Sequence, residues 1–73
     1  MILTALLDLE EPVAWSIVQV WLEMEYNVEL SAAATKMALL RAHRQGLVRR
    51  KNGLYRISDR GRERLDWLTQ TMQ

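Results

Sequence analysis

Apolar positions recur at helical spacing along most of this chain and alternate in one short stretch. In residues 2–10, Ile2, Leu6 and Leu9 repeat every three to four positions, and Leu3 and Leu7 add a second row. Two rows predict a helix contacted on more than one side. Glu11-Pro12 predicts its end, because the residue before proline avoids helical angles. Pro12 suits the first turn of a second helix, where its missing N–H costs nothing, and that helix is predicted to run to about Tyr26. Its polar positions Ser16, Gln19 and Glu23 form one narrow stripe, expected to be exposed. The rest is apolar, so it reads as a central core helix, with Trp15 or Trp21 at a contact with a second copy as the alternative.

Asn27 tolerates the left-handed conformation that closes a helix, and Val28-Glu29-Leu30 reads as an extended link. Ser31 is a good N-cap for a third helix over 31–45, and Gly46 stands where a helix end favours positive φ. The preferred phase of this helix buries Thr35, Ala38, Leu39 and Ala42, continuing into Leu47, and exposes Ala33, Lys36, Met37, Leu40, Arg41 and Arg44. A rival phase buries Leu39, Leu40 and His43 but drags Lys36 inward, which is expensive for an unpaired charge. After Gly46 the pattern changes to period two. Asn52-Gly53 between Leu47-Val48 and Leu54-Tyr55-Arg56-Ile57 is a strong hairpin signal, with Tyr55 and Ile57 inward and Leu54 and Arg56 outward. Ser58 and Asp59 offer caps for a last helix of roughly 59–72, whose apolar stripe is Leu65, Leu68 and Met72 with Trp67 nearby. Gly61 in its first turn costs about 1 kcal/mol as a helix residue, which another backbone passing close would explain.

The elements predict a mainly α fold with a small β-hairpin, in a single domain over 1–73. Charge changes the picture. The net charge is +1, but residues 1–35 hold six acids and no Lys or Arg, whereas residues 36–73 hold ten bases against three acids. Halves of −6 and +7 point to a polyanion partner for the second half. Without cysteine there is no disulfide and no thiolate metal site, and a lone His43 supports no metal. No basic stretch precedes Ile2, and the apolar run Ile2–Leu7 stops at Asp8, too short to span a bilayer. The expectation is therefore a cytoplasmic, nucleoid-associated protein with no membrane role. No nucleophile–base constellation or Gly-rich phosphate loop is present, so neither an enzyme nor a cofactor is expected.

Leu30-Ser31 opening the third helix, Leu39, and Gly46-Leu47-Val48, followed by Tyr55-Arg56-Ile57-Ser58-Asp59-Arg60-Gly61 and Leu65, resemble the winged helix-turn-helix family. The likeness is to its MarR- and PadR-like bacterial and archaeal branch and covers essentially the whole chain. Ala42 departs from the pattern, standing where that family usually has a large apolar residue. The resemblance implies three helices, a two-stranded wing and a C-terminal helix, with transcription regulation or DNA architecture as the role. It implies that helix 31–45 enters the major groove of double-stranded DNA and that wing 49–53 lies on the backbone or in the minor groove.

The residues expected at DNA are Ser31, Ala33, Lys36, Met37, Arg41 and Arg44 of the helix and Arg49, Arg50, Lys51 and Asn52 of the wing. Small Ala32, Ala33 and Ala34 let the backbone approach the bases, and the bases of the chain suit phosphates or guanines. Arg56, Arg60, Arg62 and Arg64 are assigned instead to local pairing with Asp59, Glu63 or Asp66. A homodimer is expected, with the first and last helices as its contact elements and its two recognition helices about 34 Å apart. No small-molecule effector is expected, since the chain has no room for a sensor domain. The alternative is a winged-helix module that binds protein, which the acidic first half and the exposed Met37 and Leu40 favour.

Overall fold

The computed structural model describes residues 2–71, with side chains as far as Leu68. Four helices and one antiparallel hairpin follow in the order α1 (Ile2–Leu9), α2 (Trp15–Tyr26), α3 (Ala32–Arg44), β1 (Val48–Lys51), β2 (Leu54–Ile57) and α4 (Asp59–Thr71). Met72, expected in the stripe of the last helix, lies outside the described residues.

The helix ends follow their local chemistry. Asn27 closes α2 with φ 53°, and Gly46 follows α3 with φ 77°. Ser31 caps α3: its Oγ accepts from the Ala34 N–H at 3.0 Å, while Thr35 Oγ1 donates to the Ser31 carbonyl at 2.9 Å. Asn52 and Gly53 both have positive φ, 53° and 78°, the pair that a two-residue type I′ turn requires. The first helix stops earlier than its proline suggests. It ends at Leu9, and Glu10 takes φ 60°, rare for a side chain of that size.

Helix α2 also begins later than expected, at Trp15 rather than Pro12. The reason is a strand-like pairing. The Val13 N–H donates to the Tyr55 carbonyl at 2.9 Å and the Tyr55 N–H donates to the Val13 carbonyl at 2.7 Å. Val13 is therefore extended, and β2 is paired on both edges, by β1 and by this bridge.

One core unites the chain. Leu6, Val18, Leu22 and Leu39 are almost wholly buried, joined by Ala5, Val48, Tyr55 and Ile57. The burial of Thr35, Leu39 and Leu47, with Ala38 and Ala42 half-buried, follows the preferred phase of α3. Helix α1 packs on α2, β2 and α4, in keeping with its two apolar rows. Expectations about faces fail on both α2 and α4. Gln19 is half-buried, its Nε2 donating to the Leu30 carbonyl at 2.7 Å, so the exposed side of α2 carries Ile17, Val20 and Met24 beside Ser16 and Glu23. Leu68 is exposed, leaving Leu65 as the half-buried apolar residue of α4. An α2 that is apolar nearly all round has no polar stripe strong enough to fix its phase.

Asp8 ties α1 to α2. Its Oδ2 accepts from the Tyr26 hydroxyl and from Trp21 Nε1, the latter at 3.4 Å. The hydrogen bond to this carboxylate, with burial second, pushes the Tyr26 phenol up to about 12 from its ordinary 10.0. A phenol that holds its proton more tightly when folded stabilises the fold below pH 10 and loses that contribution as the pH rises towards 12. Tyr26→Phe is expected to lower the melting temperature at neutral pH and to flatten the alkaline fall in stability between pH 10 and 12. Thermal melts by circular dichroism at several pH values measure both.

Gly61 gives the sharpest packing test. A Cβ built there would run into the Leu47 carbonyl oxygen and come within 2.8 Å of Ile57 Cγ1. The close backbone that the sequence suggested is thus the segment leading into β1. Ala is the better helix former by about 1 kcal/mol, yet Gly61→Ala is expected to lower the urea midpoint. A raised midpoint would remove this packing account.

Candidate functional site

The two elements that carry the expected binding residues meet along a cleft. Lys36 and Leu40 of α3 face Arg50 and Tyr55 of the hairpin, with Ala14 and Trp15 at the base of α2 closing one side. Lys36 Nζ sits 4.4 Å from the centroid of the Trp15 ring, and the Arg50 guanidinium carbon lies 5.7 Å from that of Tyr55. Both cations rest on aromatic faces, which orients them without neutralising them.

The expected helix residues fall on the outer side of α3. Ala33, Lys36, Met37, Arg41 and Arg44 are all exposed, and Met37 keeps 51% of its surface. Ser31 is exposed too, but its Oγ is committed to the Ala34 N–H. Leu40 is half-buried, against the expectation that it is exposed: it lines the cleft toward the hairpin. His43 is exposed and its Nδ1 lies 3.1 Å from the Val48 carbonyl, so Nδ1–H is the donor and the ring bridges α3 to β1.

The hairpin bases serve two surfaces, with Arg50 at the edge of both. The register pairs Val48 with Ile57, Arg49 with Arg56, Arg50 with Tyr55 and Lys51 with Leu54. Strand alternation puts Arg50 on the face of buried Tyr55 and Ile57, and puts Arg49, Lys51, Leu54 and Arg56 on the other. Arg49, Arg50, Lys51 and Asn52 are all exposed. On the outer face an open groove of about 680 Å³ is lined by Arg49, Arg56 and Arg60 together with Pro12, His43 and Asp59. Arg56 and Arg60, assigned by sequence to local pairing, therefore join Arg49 in a second cationic surface, which Asp59 also borders. The signal that could have found them is cross-strand register: the two-residue Asn52-Gly53 turn sets Arg49 opposite Arg56.

Ser58 locks this surface to the rest of the fold. Its Oγ donates to the Gly46 carbonyl at 2.7 Å and accepts from the Gly61 N–H at 3.0 Å, joining the end of α3 to the start of α4. Among the described residues, no group of three His, Cys, Asp or Glu is placed to hold a metal ion, and no helix is long and apolar enough to cross a membrane. No family model matches the chain, and no curated protein or solved structure matches it either.

Two arginines directly opposite each other on a hairpin repel, at a cost of about 0.2–1 kcal/mol. Arg56→Thr, which keeps a strand-forming residue on the exposed face, is expected to stabilise the free protein by an amount in that range at low salt. The gain should shrink as salt screens the pair. Urea denaturation at two ionic strengths checks both the sign and the trend.

Proposed function

We propose that the chain is a winged helix-turn-helix protein that binds double-stranded DNA, as a transcriptional regulator or architectural factor. Helix α3 enters the major groove, and the hairpin tip around residues 49–53 lies on the backbone or in the minor groove. One observation carries this reading: seven of the ten bases are exposed on α3 and the hairpin and the other three on α4, while every acid of the first half is exposed on α1, α2 and their links. The cleft between α3 and the hairpin supports it, because Lys36 and Arg50 converge there from two elements. An exposed helix presenting Ala33, Met37, Arg41 and Arg44 along one side fits the width of the major groove. Two copies related by a two-fold axis would set their helices about 34 Å apart on one face of the duplex.

A protein-binding module is the second reading. Met37 favours it, since a half-exposed apolar side chain stands in the middle of the face that would otherwise meet DNA. One pair of measurements separates the two. Titration of a labelled duplex at about 50 and 200 mM salt is expected to show affinity falling by roughly 10³-fold, as five to seven phosphate contacts require at a slope of about −0.9 each. Arg49→Ala/Arg50→Ala/Lys51→Ala is expected to weaken binding and to reduce that slope by about 3. No binding at the lower salt rules out the DNA reading. Unchanged binding by the triple variant removes the hairpin from the interface.

A further inference from the structure

The groove on the outer side of the hairpin is lined by five bases, Arg49, Arg50, Lys51, Arg56 and Arg60, against one acid, Asp59, a net of +4 with His43 neutral. Among the described residues, no carboxylate forms an ion pair with any of the five. Three elements supply them: β1 carries Arg49, Arg50 and Lys51, β2 carries Arg56 and α4 carries Arg60. The hairpin register sets Arg49 directly opposite Arg56. Arg60 reaches back to the end of α3, where a Cβ built at Gly46 would stand 3.4 Å from its Nη1 and 3.6 Å from its Cδ. The Ser58 hydroxyl fixes this corner, because it joins the Gly46 carbonyl to the Gly61 N–H. Like charges gathered on so firm a backbone repel in the free protein. All five are exposed, so packing of the core does not require them there.

We propose that this groove is a binding site for a multiply charged phosphate group. Arg49 and Arg56 hold it from the hairpin and Arg60 from the start of α4. Guanidinium forks match phosphate oxygens in pairs of hydrogen bonds, and the charge on each side strengthens them. The anion removes the repulsion between the opposed arginines, so binding and the fold support each other. The volume of about 680 Å³ exceeds a single phosphate, and Pro12 and Leu54 give the groove an apolar wall. Sites for small molecules span roughly 300–1,000 Å³. Two sources share this chemistry: a phosphorylated small molecule and a phosphate of a nucleic-acid backbone. The site does not depend on α3 entering the major groove, since Arg56 and Arg60 lie outside both α3 and the hairpin tip.

The probe is inorganic pyrophosphate, titrated into the full chain at fixed ionic strength so that screening stays constant. The melting temperature is expected to rise with pyrophosphate, as for any ligand that binds the folded state, with a dissociation constant of about 1 mM or below. The Gly46 and Gly61 amide resonances are expected to shift along the same curve. Arg56→Thr/Arg60→Gln, at exposed positions, is expected to keep the helical circular dichroism signal and to weaken pyrophosphate by about tenfold or more. Arg41→Ala/Arg44→Ala, on α3, is expected to leave pyrophosphate binding unchanged. No response by about 10 mM pyrophosphate, or an equal response in the Arg56 and Arg60 variant, overturns the site. A labelled duplex then identifies the source. Displacement of the duplex by pyrophosphate, with weaker duplex binding in the Arg56 and Arg60 variant, assigns the groove to a backbone phosphate. Simultaneous binding of both assigns it to a phosphorylated small molecule. Pyrophosphate binding by a chain that binds no duplex removes the DNA reading and leaves the groove standing.

Discussion

The paired hydrogen bonds between Val13 and Tyr55 decide how the hairpin sits on the helices. A two-stranded hairpin is marginal in water by itself. Here β2 has a partner on each edge, and the added partner is the link between α1 and α2. That pairing presses the Tyr55 ring into the core beside Val48 and Ile57. It also fixes which side of the hairpin faces inward, and alternation does the rest: Arg50 turns to the α3 cleft while Arg49 and Arg56 turn away. Ser58 secures the other end, joining the Gly46 carbonyl to the first turn of α4. Gly61 then has to be glycine because the backbone at Leu47 occupies the space a side chain would need.

What could be read from the sequence was what local backbone chemistry determines. Asn27, Ser31, Gly46 and Asn52-Gly53 mark their turns and caps because each conformation suits few residue types. The buried side of α3 was legible because the alternative phase drags Lys36 inward. The Val13 bridge was not legible, since Pro12 fits a helix start equally well and the strand it meets lies far along the chain. Nor was the exposed side of α2. Gln19 looks like a solvent residue, but its amide finds the Leu30 carbonyl, and no periodicity announces a hydrogen bond to a loop. Of the candidate site, the residue types and the element that bears each were readable. The division of the hairpin bases between two faces came only with the register.

Two local conflicts bear on function. Arg49 opposes Arg56 across the hairpin, and Ile17, Val20 and Met24 face water on α2. Sequences that fold well are consistent from propensity to packing, and departures concentrate where something besides folding is being served. The two departures also differ in kind. Opposed guanidinium groups are relieved by an anion, whereas an apolar ridge with an acidic border is relieved by a basic apolar surface. The proposed function accounts for the first by setting the hairpin on a polyanion.

The division of charge makes closure matter. A chain with a −6 half and a +7 half can also associate head to tail, its acidic α2 side on the basic α3 and hairpin of the next copy. Such a contact is heterologous, grows into a ring or an open filament, and would cover the surface proposed for DNA. A two-fold pair of copies, as proposed for DNA binding, avoids this. Contacts repeat reciprocally, growth stops at two copies, and α3 and the hairpin of both stay open. If the basic half is held by a polyanion, as proposed, the surface on which open association would build is occupied.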